Sequence, residues 1–86
     1  MTGQAMRQIL LQAGVRFTEA AQLFQIDRST LYHWFDGIMP KNKFLYVNAE
    51  QIVSKIQRAM RTGELPLQGT TGKERLPVIA AILKKY

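Results

Sequence analysis

The sequence contains no cysteine, one histidine, one tryptophan, three prolines and two serines in 86 residues. Without thiols it builds no disulfide framework and no Cys-ligated zinc or iron–sulfur site, and it offers no thiolate nucleophile. Acid is scarce too: six Asp and Glu stand against twelve Lys and Arg, a formal net charge of +6. No run approaches the ~18 consecutive apolar residues of a membrane span. The opening MTGQAMRQILLQAG also lacks the basic stretch, apolar block and small-residue cleavage site of a secretory leader. A chain this short buries only about 60–65% of its unfolded surface, so one core is expected and a second is not. A cytoplasmic protein with no membrane association is therefore expected. There is no glycine-rich phosphate loop and no paired histidine ligand set, and six scattered carboxylates suggest no acid/base pair. We expect no enzyme, no metal or other cofactor and no small-molecule ligand.

What is present is cationic charge, and it is uneven. Residues 1–54 hold five basic and four acidic side chains, whereas residues 55–86 hold seven and two. A cation surplus on so small a body attracts polyanions at long range.

Apolar spacing is helical throughout, which predicts an all-α domain of four to five helices. The first spans Gly3 to Ala13, with Thr2 as N-cap and Gly14 as its left-handed stop. The second opens after Thr18 as cap and covers Glu19 to Phe24, and after the turn Gln25-Ile26-Asp27 a third runs from Arg28 to Phe35. Residues 41–47 fit a loop, an extended stretch or a helical turn, with Phe44, Leu45 and Val47 expected to reach the core. Asn48-Ala-Glu-Gln51 reads as a capping box that starts a fourth helix at Ala49, ending near Thr62. Residues 64–72 are rich in turn formers and read as a linker between a domain at 1–63 and a C-terminal helix within 73–86. Pro77 is tolerable there only in the first turn.

The informative window is FTEAAQLFQIDRSTLYHWFD, residues 17–36. Two short helices joined by three residues must cross steeply, which requires a small residue where they touch; Ala21 meets that need. Ala20, Phe24, Ile26, Leu31 and Trp34 supply the apolar positions on the inner faces and in the turn. These residues resemble the motif of helix-turn-helix DNA-binding regulators, in layout the phage Cro and repressor type with its lambda-repressor-like fold. The motif is also similar to that of Fis-type and excisionase-like proteins. The likeness is strong over 17–36 and looser to about residue 62. One position departs from it: the first turn residue, usually a glycine with positive φ, is Gln25.

The resemblance implies that the outward residues of the second motif helix face a major groove. Arg28 has the planar fork that grips guanine O6 and N7, Ser29 and Thr30 can bond bases or phosphates, and Tyr32 and His33 can donate a bond or touch a thymine methyl. Plainer readings stand beside these. Arg28 and Ser29 could be a solvated helix start, Tyr32 a cover for the core edge and His33 an ordinary surface histidine. Thr18, Gln22, Lys41, Lys43, Lys55 and Arg58 are candidate phosphate contacts; a stripe of cations is also commonly just a solvated face. Leu76, Ile79, Ile82, Leu83 and Tyr86 share one side of the last helix. They either pair two copies of the chain or pack back on their own domain. Pairing would set two reading helices about 34 Å apart on a palindromic operator.

The expected function is sequence-specific binding of double-stranded DNA as a transcriptional regulator, a Cro-like repressor acting as a homodimer in a bacterial or phage-infected cell. The alternative is a small phage or plasmid accessory factor, with a protein-interaction, excision or packaging role carried by the same helices.

Overall fold

A computed structural model describes all of residues 1–86 and contains five α-helices, one 3-10 turn and no strand. The helices are α1 (Gly3–Gln12), α2 (Phe17–Phe24), α3 (Arg28–Phe35), α4 (Phe44–Arg61) and α5 (Arg75–Leu83), with the 3-10 turn at Gly72–Glu74. None is long and apolar enough to cross a membrane.

The start of α1 follows from Thr2, whose hydroxyl accepts from the Ala5 amide at 3.0 Å. α2 begins two residues earlier than its sequence suggests, because Thr18 is not the cap. The Arg16 amide instead donates to Glu19 Oε1 at 2.9 Å, which fixes the entry of the chain one turn before Ala20. α3 has the bounds its sequence indicates, opened by Asp27, whose Oδ1 accepts from the Thr30 amide at 2.9 Å.

α4 corrects the sequence reading most. Asn48 starts nothing; the helix is already under way at Phe44, whose amide donates to Asn42 Oδ1 at 3.0 Å. In that register Tyr46 is the residue that enters the core, and Phe44, Leu45 and Val47 are exposed rather than buried. The Tyr46 ring stands edge-on to Trp34 with centroids 5.0 Å apart, and its hydroxyl donates to the Met1 carbonyl at 2.7 Å. The aromatic ring thereby pins the start of α4 to α3.

The core is one cluster to which every helix contributes: Met6 and Leu10 of α1, Phe24 of α2, Leu31 and Trp34 of α3, Val53 and Ile56 of α4 and Ile79 of α5 are sealed from solvent. Burying side chains of this size is worth roughly 1.5–3 kcal/mol each. Residues 64–72 are packed rather than a free tether, since Leu65 is buried and Leu67 rests against the core. A buried ion pair adds a polar tie. Arg75 Nε lies 3.0 Å from Glu19 Oε2, and a second guanidinium nitrogen bonds Glu19 Oε1 and the Gly14 carbonyl. The last segment is thus attached to the start of α2.

Candidate nucleic-acid interface

α3 turns through 100° per residue, so its eight residues divide into two faces. Leu31, Trp34 and Phe35 are buried; Arg28, Ser29, Tyr32 and His33 are exposed, and Thr30 lies half-buried between the two sets. At the contact with α2, Ala20 and Ala21 are both buried, as are Phe24, Leu31 and Trp34, while Ile26 in the turn is partly buried against the same cluster. Gln25 takes φ 60° and ψ 42°, the left-handed conformation, and is the one non-glycine residue with positive φ.

The helix is held along its length. At its start Ser29 Oγ donates to Asp27 Oδ1 at 3.1 Å, and hydrogen bonds from Thr30 and Ser29 keep the Asp27 carboxyl below its usual range. At its end Gln4 Nε2 donates to the Phe35 carbonyl at 2.8 Å. Gly3 sits so close behind that a Cβ there would come within 1.8 Å of the Trp34 carbonyl oxygen. In the middle, the Tyr32 ring rests edge-on against Phe17 and Phe35, at 6.0 and 6.1 Å between centroids, with nearly half of the residue still exposed. Tyr32 therefore covers the edge of the core and contributes to the outer face at once. Arg7 lies 5.8 Å over the opposite partner of this cluster, the Phe17 ring. It was not among the residues the sequence singled out, because only the tertiary pairing of α1 with Phe17 brings it there.

On the other side of α2, Thr18 and Gln22 line a cleft of about 390 Å³ together with Arg16, Glu19, Gly72, Lys73 and Leu76. Burial tends to raise the Glu19 carboxyl, but its bonds to Arg75 and the Arg16 amide, and the charges of both arginines, bring it below its ordinary value. Glu19 and Arg75 offset one another, so the cleft keeps the positive charge of Arg16 and Lys73. Lys73 is 55 positions from Thr18, and nothing local in the sequence marks it as a neighbour.

The remaining cations disperse. Lys41 and Lys43 are exposed in the segment between α3 and α4. Along α4 a spacing of three advances 300°, so each step drifts about 60° around the helix. Lys55 falls in a groove with Leu23, Ala80, Leu83 and Lys84; Arg61 lines a separate cleft with Ile9 and Gln12; Arg58 is exposed between them. Neighbouring members of this row adjoin, while Lys55 and Arg61 at its two ends face different clefts. On α5, Ile79 and Leu83 are buried within their own chain, Ile82 and Tyr86 pack against the same core, and Leu76 is half-buried at the cleft wall. The Tyr86 hydroxyl lies 2.7 Å from Thr62 Oγ1, and Lys85 Nζ donates to Glu64 at 2.7 Å. The apolar stripe of α5 is engaged inside one molecule. No three His, Asp or Glu side chains come together as a metal site requires.

What the arrangement can do chemically follows from these positions. A fixed helix presents a guanidinium, hydroxyls, a phenol and an imidazole outward, and a cationic cleft lies at the start of the helix before it. Compared with protein-family models, curated proteins and solved structures, the chain finds no match in any of the three.

Proposed function

We propose that the chain is a sequence-specific reader of double-stranded DNA, a helix-turn-helix transcriptional regulator in which α2, the Gln25 turn and α3 form the motif and α3 enters the major groove. The observation that carries the reading is the division of α3: its apolar residues are sealed against α2 and the core, and every exposed side chain on it can hydrogen-bond a base edge or a phosphate. The left-handed turn and the two small residues at the helix contact support it further.

In this reading Arg28, Ser29, Tyr32 and His33 address bases, with Thr30 at the margin. Arg16, Thr18, Gln22 and Lys73 hold the phosphates beside the start of α2, and Lys41 and Lys43 those beyond the end of α3. Lys55 and Arg58 add to the long-range field. A protein seated in the major groove of a promoter blocks access to it most directly, so repression is the proposed outcome, with the cytoplasm the proposed location.

The test is selection of bound fragments from random duplexes at physiological salt. Enrichment of one motif, present as a two-fold repeat, supports the proposal; recovery of unenriched sequence overturns it. A second reading, a protein-binding accessory factor, draws on the exposed apolar side chains Ile38 and Met39 after α3 and Phe44, Leu45 and Val47 in the first turn of α4.

A further inference from the structure

The chain has three tyrosines, and two of them use their hydroxyls internally. Tyr46 donates to the Met1 carbonyl, and the Tyr86 hydroxyl bonds Thr62 and Glu64. The hydroxyl of Tyr32, a residue 45% exposed, is bonded to nothing in its own chain. Its ring is nevertheless held. Phe17 meets it at 84° with centroids 6.0 Å apart, and Phe35 at 66° and 6.1 Å. Edge-to-face contacts at these separations are attractive and directional, so together they favour one orientation of the Tyr32 ring.

The Phe17 wall is itself fixed. Phe35 packs on it at 5.0 Å, and the guanidinium of Arg7, the one charged residue of α1, lies 5.8 Å over its face. Three helices thus meet around the Phe17 ring. Tyr32 stands four residues beyond Arg28 and so shares its edge of α3. That edge runs beside Phe17, the first residue of α2.

A phenol with a fixed ring and an unused hydroxyl is an ordered donor and acceptor on the outer face of α3. Ordering a free side chain on binding weakens affinity by a factor of about two to ten; for Tyr32 the ordering is in place beforehand. On the basis of the duplex-reading proposal, we infer that Tyr32 is the pre-ordered specificity residue of α3 and that Phe17 is its positioning residue. Phe17 touches no base. It fixes the direction in which the Tyr32 hydroxyl reaches a base edge in the major groove. One hydroxyl serves one base pair, so the effect is confined to one position of the site.

The experiment compares the parent, Tyr32→Phe, Phe17→Leu and the double variant. Each is taken through selection from random duplexes. Affinities are then measured for the parent's selected site, for that site changed one base pair at a time, and for random duplex. Tyr32→Phe keeps every ring contact and removes the hydroxyl alone; Phe17→Leu removes the supporting ring and keeps an apolar side chain. Tyr32→Phe should lower the preference at one base pair by about three- to tenfold. Phe17→Leu should lower it at the same base pair by about two- to fivefold. The double variant should do no worse than Tyr32→Phe, and random duplex should be bound nearly as by the parent. A loss in Phe17→Leu that is equal on all duplexes, as a merely structural ring would give, overturns the assignment. So does a Tyr32→Phe variant that keeps the parent's preference at every position, or one that loses affinity uniformly as a phosphate contact would. Phe17→Met, judged by the same outcomes, replaces Phe17→Leu if the latter loses its helical circular dichroism. A parent that enriches no motif defeats the duplex-reading proposal and this assignment together; variants that enrich the parent's own motif unchanged defeat this assignment alone.

Discussion

Gln25 holds the one strained backbone position outside glycine, with φ at 60°. A left-handed residue with a Cβ costs roughly 1–2 kcal/mol, and glycine removes that cost while adding entropy to the unfolded chain. Gln25→Gly should thus stabilise the fold by about 0.5 kcal/mol, raising the thermal midpoint by a few degrees; a lower midpoint would mean that the Gln25 side chain contributes more than its backbone costs. Gly3 predicts the opposite sign. A methyl there would meet only backbone, the Trp34 carbonyl oxygen at 1.8 Å and the Phe35 Cα at 3.0 Å, and backbone yields poorly, so Gly3→Ala should cost roughly 1–3 kcal/mol in urea denaturation. The need for glycine at the left-handed stop Gly14 was legible from the sequence, whereas the need at Gly3 depends on a helix 31 residues away.

Among the elements, α3 was the most legible, because the Asp27 cap, the apolar triad Leu31, Trp34 and Phe35 at helical spacing, and Gly37 with its positive φ just past the last turn all agree within eleven residues. α4 was misread for a physical reason. Asn42 and Asn48 can each cap a helix, and the run Phe-Leu-Tyr-Val has no polar residue to show which side faces inward; the packing of Tyr46 on Trp34 decides it. For α5 the sequence offered two places, and the choice between them was not legible, since it depends on pairing Arg75 with Glu19 across 56 positions. That pair makes a pH prediction. The folded carboxyl of Glu19 lies below its ordinary value of 4.5, so the stability it adds is present above pH 4.5 and is lost as pH falls through the lower folded value. Thermal midpoints measured from pH 7 down to pH 3 should fall less steeply in Glu19→Gln than in the parent. The variant should also be less stable at pH 7, by on the order of 3 kcal/mol, because Arg75 loses its partner in a buried setting. Parallel curves would contradict this account of the clamp. Ile79→Ala should lower the stability of the monomer by about 2–5 kcal/mol; a change in self-association alone would instead return α5 to the role of a dimer element.

Over the whole molecule, twelve cations stand against six anions. Under the proposed function they would supply non-specific affinity for duplex DNA, whose logarithm falls linearly with the logarithm of salt by about 0.9 for each phosphate neutralised. If Lys73 stands at a phosphate beside Thr18 and Gln22, Lys73→Ala should reduce that slope by about one, equally on selected and random duplexes; an unchanged slope would remove the cleft from the interface. Selectivity is assigned to α3 alone. The most direct measurement is the affinity of Arg28→Ala and the parent for a selected site and for a random duplex at one salt concentration. A loss of about 10- to 100-fold on the selected site, with random duplex nearly unaffected, is the predicted result. An equal loss on both, or no loss on either, would contradict the claim that this helix reads sequence.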